Sequence, residues 1–214
     1  MRIDIVSDVV CPWCFIGKRR LERALAMRPQ PAVEIGWRPF ALNPDVPPEG
    51  ADRRAYVAAK FGGADQAAQL YAQVAEVGVG ENIFFAFDRI ERTPNTMQAH
   101  RLIRHAGAKG VQDAVVEGLF AAYFLEGVDV GQTDALVAVA DAAGMDGDET
   151  RQWLESGAEA DQVAQEIGAA QQMGIGGVPC FIFERKYALT GAQAPEAFFQ
   201  VFDKLAEDAA APGG

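Results

Sequence analysis

Two cysteines separated by Pro-Trp stand where a strand gives way to a helix, and few architectures place a pair of thiols there. Arg2–Val6 alternates polar residues with Ile and Val, a strand pattern. From Pro12 to Met27 the period changes. Cys14, Gly17, Leu21, Ala24 and Leu25 recur at helical spacing and predict a helix with one buried face. Pro29 and Pro31 stop it. Ala32–Arg38 alternates again, with Val33, Ile35 and Trp37 on one side. A single helix between two strands makes a right-handed crossover, so these strands are expected to be parallel.

The chain then changes character. Asn43–Gly50 is a polar, Pro-rich connector, and from there to about residue 157 the pattern is helical with almost no strand signal. Helices are expected over Asp52–Phe61, Asp65–Val77, Val111–Phe124, Thr133–Ala143 and Asp148–Leu154. Another is expected to start at Thr93-Pro94, with Thr as N-cap and Pro at the first helical position, and to end near Gly107. Ala158–Met173 reads as a long helix ending in Gly174-Ile175-Gly176-Gly177. Val178–Phe183 reads as a buried strand, Lys186–Leu189 as its hairpin partner and Pro195–Leu205 as a closing helix, with an Ala/Pro/Gly-rich tail beyond. The order is βαβ, then helices, then αββα. This is an α/β chain in which residues 1–42 and 158–214 form one compact unit and residues 43–157 an all-helical insertion domain.

The chemistry concentrates at Cys11-Pro12-Trp13-Cys14. A thiol at a helix N-terminus meets unpaired backbone N–H groups and the positive end of the dipole, and both favour thiolate over thiol. Cys11 falls at the N-cap, where exposure is greatest, and Cys14 one turn on, facing the core. Cys11 is therefore the candidate nucleophile and Cys14 the resolving thiol, and Pro12 is tolerated because an N1 residue needs no donor. A zinc site is disfavoured. It needs four ligands, and the remaining candidates are Cys180 and two histidines, His100 and His105, whose offset on one helix points them to different faces. A regulatory thiol pair without catalysis, or two ordinary core cysteines, are the other readings. The second element is Gly177-Val178-Pro179 at a strand entry, where proline sits in a trans peptide or in a cis X–Pro turn.

Strand–CPWC–helix, a helical insertion and Gly-Val-Pro before the next strand resemble the thioredoxin fold of the DsbA family. Asp8–Gly17 and Pro94-Asn95-Thr96 with Ala99-His100-Arg101-Leu102 are similar to its cytoplasmic, FrnE-type branch. The resemblance covers nearly the whole chain and implies a thioredoxin fold (βαβ-αββα with a large helical insertion) and a thiol–disulfide oxidoreductase. It also implies that Pro179 is a cis-proline packed on the cysteine pair, and that the backbone of Val178 pairs with an extended substrate. Pro12 and Trp13 are expected to tune the thiols, with Trp13 the aromatic most expected to be exposed. The resemblance further suggests that the helix start at Asn95 and Thr96 borders the substrate cleft, although both could simply cap the helix. Phe40, Phe84, Phe85 and Phe87 are expected in the core. The chain departs from the family where a buried carboxylate often stands, because that position is Ile5. The Cys14 proton is left to Asp4, Asp8 or water. Cys180 reads as a buried core thiol, or as a third redox-active one.

Composition narrows the partners. The net charge of −11 disfavours nucleic acid, although residues 1–42 carry more Lys and Arg than Asp and Glu. No apolar run approaches the roughly 18–20 residues of a membrane span. The opening Met1-Arg2-Ile3-Asp4 lacks the apolar core of a signal peptide, and three cysteines make no disulfide framework, so a cytoplasmic location is expected. The expected partners are protein or small-thiol substrates and a thiol redox partner, for a monomer or homodimer. No cofactor is expected beyond the redox disulfide itself, with glutathione as a possible cosubstrate. The alternatives are a glutathione-dependent isomerase or kappa-class glutathione transferase, which normally carry Ser where Cys11 stands, and a non-enzymatic holdase or adaptor.

Overall fold

The Ile- and Val-rich strand Arg2–Ser7 (β1) lies in the middle of a four-stranded sheet because both its edges find partners. In this computed structural model, which describes residues 1–210, Glu34–Pro39 (β2) pairs with it in parallel, Ile3 opposite Ile35 and Ile5 opposite Trp37. Cys180–Phe183 (β5) pairs with its other edge antiparallel, and Tyr187–Thr190 (β6) extends the sheet as a hairpin, giving the order β2-β1-β5-β6. The helix between β1 and β2, Pro12–Met27 (α1), carries out the expected parallel crossover. The last four residues of the Ala/Pro/Gly-rich tail lie outside the described residues.

α1 is buried on more than the one face its periodicity suggests. Cys14, Gly17, Leu21 and Ala24 are buried as expected, but Phe15, Ile16 and Lys18 are buried too. The second face exists because the insertion packs on it. Phe15 stacks on Phe120 with ring centres 5.1 Å apart, and Phe120 belongs to the helix Gln112–Phe124 (α5). One hydrophobic cluster runs from Ile3 and Ile5 through Phe15 to Phe120, Phe124 and Leu136. On that same face of the sheet Pro195–Ala210 (α9) packs beside α1, with Phe198 5.0 Å from Phe181. The opposite face of β1 carries Val6, which clusters with Phe40, Cys180 and Ala170 of the helix Ala160–Gln172 (α8). On that face Asp4 is held by Arg2 and Arg38.

The insertion contains Arg53–Phe61 (α2), Ala64–Val79 (α3), Met97–Ala108 (α4), α5, Thr133–Ala142 (α6) and Gly147–Glu155 (α7). Two expectations need correction. Thr93-Pro94 does not start a helix. Arg92–Thr93 (β4) forms a short antiparallel ladder with Ala51–Asp52 (β3), and the helix begins at Met97, after Thr96. The local capping signature loses to a backbone partner supplied from forty residues away. Phe84 is exposed rather than buried. Its neighbour Phe85 takes the core position, stacked on Phe87 and edge-on to Phe15.

Candidate active site

Cys11 occupies the N-cap of α1 in an extended conformation, φ −95° and ψ 108°, with Pro12 beginning the helix. The turn that delivers it is closed by Cys11 N–H donating to the Asp8 carbonyl, and Cys14 N–H then donates to the Cys11 carbonyl, each at 3.0 Å. The Val178–Pro179 peptide is cis, and the Cys11 thiol donates to the Val178 carbonyl at 3.5 Å. The two sequence elements read separately, CPWC and Gly-Val-Pro, therefore meet in space. Gly17 makes the approach possible: a Cβ there would sit 2.8 Å from the Pro179 ring.

Exposure differs from the expectation at one point. Cys11 is only 4% exposed, not the open N-cap residue foreseen, because the Val178–Pro179 loop and the insertion cover it. Cys11 still lines a cleft, while Cys14 is 1% exposed and lines none of the cavities described here. Burial pushes the Cys14 thiol well up, reinforced by the hydrogen bond and charge of Cys11; the Ser7 hydroxyl and the Asp8 backbone N–H pull the other way. Trp13 is 39% exposed at the mouth.

The cleft has a volume of about 360 Å³. Cys11, Pro12, Trp13 and Val178 form one wall, as the sequence suggests, and Arg53, Tyr56, Lys60, Tyr71, Thr93 and Tyr123 of the insertion form the other. Asn95 and Thr96 are not part of that lining. The Asn95 amide donates to the Val46 carbonyl at 2.7 Å and its oxygen accepts from Met97 N–H at 3.0 Å, while Thr96 is buried at the helix start. None of these six insertion residues is singled out as a site residue by the sequence reading. A larger cavity of about 510 Å³ opens on the β2–α4 side and contains neither active-pair cysteine.

Of the carboxylates considered for the Cys14 proton, Asp4 is tied up with arginines. Asp8 is buried, accepts from Leu42 N–H at 2.8 Å, and lies 3.4 Å from His100 Nε2, which also donates to the Phe40 carbonyl at 2.9 Å. Cys180 is a buried thiol lifted by its surroundings, with Thr190 donating to it at 3.9 Å. His105 stacks on Trp153 at 4.2 Å, away from both cysteines. Among the described residues no group of three or more His, Cys, Asp or Glu is placed to hold a metal ion, and no helix is long and apolar enough to cross a membrane.

The geometry has counterparts. The model of the DSBA-like thioredoxin domain matches residues 2–203. A probable DsbA oxidoreductase from Streptomyces coelicolor is 32% identical and superposes with a TM-score of 0.90, covering 100% of this chain and 93% of that one. YwbO of Bacillus subtilis, an uncharacterized protein, is 27% identical over 187 residues, 85% of this chain and 86% of its own length. The cytosolic disulfide reductase DsbM of Pseudomonas aeruginosa, in a structure with GSH, shares the fold at 15% identity and a TM-score of 0.64, covering 97% of this chain and 100% of that one.

Proposed function

This chain belongs to the DSBA-like thioredoxin domain family, whose members are thiol–disulfide oxidoreductases, and on that premise we propose that it exchanges disulfides through Cys11, with Cys14 as the resolving thiol. The observation that carries this reading is the asymmetry of the pair. Cys11 borders the cleft beneath the Val178 carbonyl, while Cys14 is sealed one helical turn behind it. Only one of the two sulfurs meets a substrate.

The steps follow from that placement. The Cys11 thiolate attacks one sulfur of a substrate disulfide along the S–S axis, forming a mixed disulfide and expelling the other half as a thiolate, which takes up a proton from solvent. Cys14 then loses its proton and attacks the Cys11 sulfur, releasing the second half as thiolate and leaving the Cys11–Cys14 disulfide. The substrate gains two electrons and the protein loses two. The reverse sequence oxidises a substrate dithiol. Before the first step, the Cys11 thiol helps to hold the proton on Cys14. Once Cys11 is bonded to substrate that contribution is gone, while the larger effect of burial on Cys14 remains. The order of attack and resolution is set by access, because Cys11 borders the cleft and Cys14 lies behind it.

Val178 offers its backbone to an extended substrate beside Cys11, and Pro12 and Trp13 border the entering sulfur. Asp8 is the nearest carboxylate in sequence and is buried close to this turn. Three cysteines are too few for a structural disulfide framework, which suits a reducing compartment such as the cytoplasm, with a protein or low-molecular-weight thiol such as glutathione as substrate or recycling partner.

The test is a pair of substitutions. Cys11→Ser abolishes disulfide reduction of insulin and formation of any mixed disulfide. Cys14→Ser retains attack and accumulates a mixed disulfide at Cys11, read by intact mass. Suppression of client aggregation that is unchanged in the double Ser variant, with no disulfide reduction by the wild type, would instead indicate a holdase or adaptor. A glutathione adduct that wild-type Cys14 fails to resolve would indicate the isomerase or transferase chemistry.

A further inference from the structure

The cleft in front of Cys11 has a charge pattern opposite to that of the whole chain. The protein carries 30 Asp and Glu against 19 Lys and Arg, yet no Asp or Glu lines this cleft, and Arg53 and Lys60 both do. Arg53 is only 9% exposed. Its Nη1 donates to the Tyr123 hydroxyl at 3.3 Å, and its guanidinium lies 4.7 Å from the centre of the Tyr71 ring. Neither neighbour neutralises it. Burial holds the Tyr123 phenol protonated, and its own O–H donates onward to the Arg92 carbonyl at 3.3 Å.

Lys60 is bonded only to neutral acceptors, the Leu42 carbonyl and the Asn43 amide oxygen. Neither cation forms an ion pair with a carboxylate of the described residues. The larger cavity shows the contrast: its Arg2, Arg38 and Arg104 are matched by Asp4, Glu159 and Glu166. A guanidinium has five N–H donors, and a desolvated one without an anion is unfavourable. The missing anion is readily supplied by whatever enters the cleft.

We propose that this cleft selects low-molecular-weight disulfides and thiols that carry a carboxylate, with Arg53 receiving the carboxylate while the sulfur reaches Cys11; this rests on the exchange chemistry proposed for Cys11. Arg53 is then a specificity-determining residue. Its depth requires a slender molecule that enters the cleft, and the aromatic faces of Tyr56, Tyr71 and Tyr123 pack on the carbon chain between the two ends.

Three small disulfides of similar length separate the effects: dithiodipropionate with two carboxylates, bis(2-hydroxyethyl) disulfide with none, and cystamine with two ammonium groups. The fully reduced protein is oxidised by each in turn. The conversion of the two thiols to the Cys11–Cys14 disulfide is followed by quenched alkylation and mass spectrometry, and each rate constant is divided by that of free dithiothreitol with the same compound. The expected order is dicarboxylate, neutral, cation, with the first favoured over the second by about 10- to 100-fold, the scale of a charge-assisted fork-to-carboxylate contact. Arg53→Gln brings the dicarboxylate-to-neutral ratio close to one, and Arg53→Lys retains part of it.

A wild-type ratio at or below one overturns the proposal, and that comparison stands even if loss of the Tyr71 stacking prevents Arg53→Gln from folding. Faster oxidation by a peptide disulfide flanked by glutamates than by dithiodipropionate also overturns it, by moving the carboxylate to a polypeptide. If none of the disulfides oxidises the protein, the exchange reaction itself fails, an outcome distinct from loss of selectivity.

Discussion

Replacing Gly17 with alanine measures how tightly the first helix is packed on the loop that carries Pro179. The added Cβ would lie 2.8 Å from Pro179 Cγ and 3.1 Å from Phe181 Cζ, whereas carbon atoms settle at roughly 3.5–4.0 Å. Neither neighbour has an easy way out, since one is a closed ring and the other is fully buried against Phe198. Helix propensity alone favours Ala over Gly by about 1 kcal/mol. Overpacking a closed core costs about 1–3 kcal/mol. The net result is a loss of roughly 1 kcal/mol, with a displaced Val178–Pro179 loop and slower exchange at Cys11. Gly168 supplies the control, because it is also helical and nothing lies within 4 Å of its Cβ position. Gly168→Ala is expected to gain about 0.5–1 kcal/mol. Identical chemistry thus gives opposite signs, a separation of about 2 kcal/mol, or roughly 4–8 °C in Tm for a chain of this size. Urea unfolding at matched slopes reads the difference. Equal stabilisation by both substitutions would refute the close packing.

Acid is expected to weaken the fold through Asp4 and Glu117. Burial opposes both charges, but Arg2 and Arg38 hold the Asp4 carboxyl, and Arg19 and Lys18 the Glu117 carboxyl, below their ordinary values. The native state therefore binds fewer protons than the unfolded one. The stability they contribute is complete above the ordinary values of 3.8 and 4.5 and drains away as the pH falls below them. Urea midpoints measured across that range should fall less steeply for Asp4→Asn than for wild type. Iodoacetamide should modify Cys11 first in the native protein, because Cys11 lines the cleft, whereas Cys14 and Cys180 do not and burial lifts their thiols. Peptide mapping that finds Cys180 labelled as fast as Cys11 would contradict the packing around Val6 and Phe40.

The α/β frame is legible in the sequence because its signals are local. Pro12 and Pro29 bracket the first helix, and alternation marks β1 and β2, so their bounds come out within two residues. The sulfur pair and Pro179 are legible for the same reason. The far wall of the cleft is not. Arg53 opens an Ala-rich helix that offers only a helical reading, and its significance lies in the lack of an ion pair to its buried guanidinium, which is a tertiary fact. Thr93-Pro94 carries a sound capping signature that a distant strand partner overrides. Phe84 and Phe85 are indistinguishable in a short aromatic run without period, and only the fold decides which one turns inward.

The stack of Phe15 on Phe120 and Phe124 also bears on any attempt to trim the molecule. Phe15 is the residue immediately after Cys14, so the helix that presents the sulfurs is wedged against rings belonging to the inserted segment. Excising residues 43–157 to leave a minimal scaffold would lay that ring bare next to the reactive pair and strip away the cover over Cys11. The insertion is thus less an accessory lid than half of the vice in which the reactive helix is clamped.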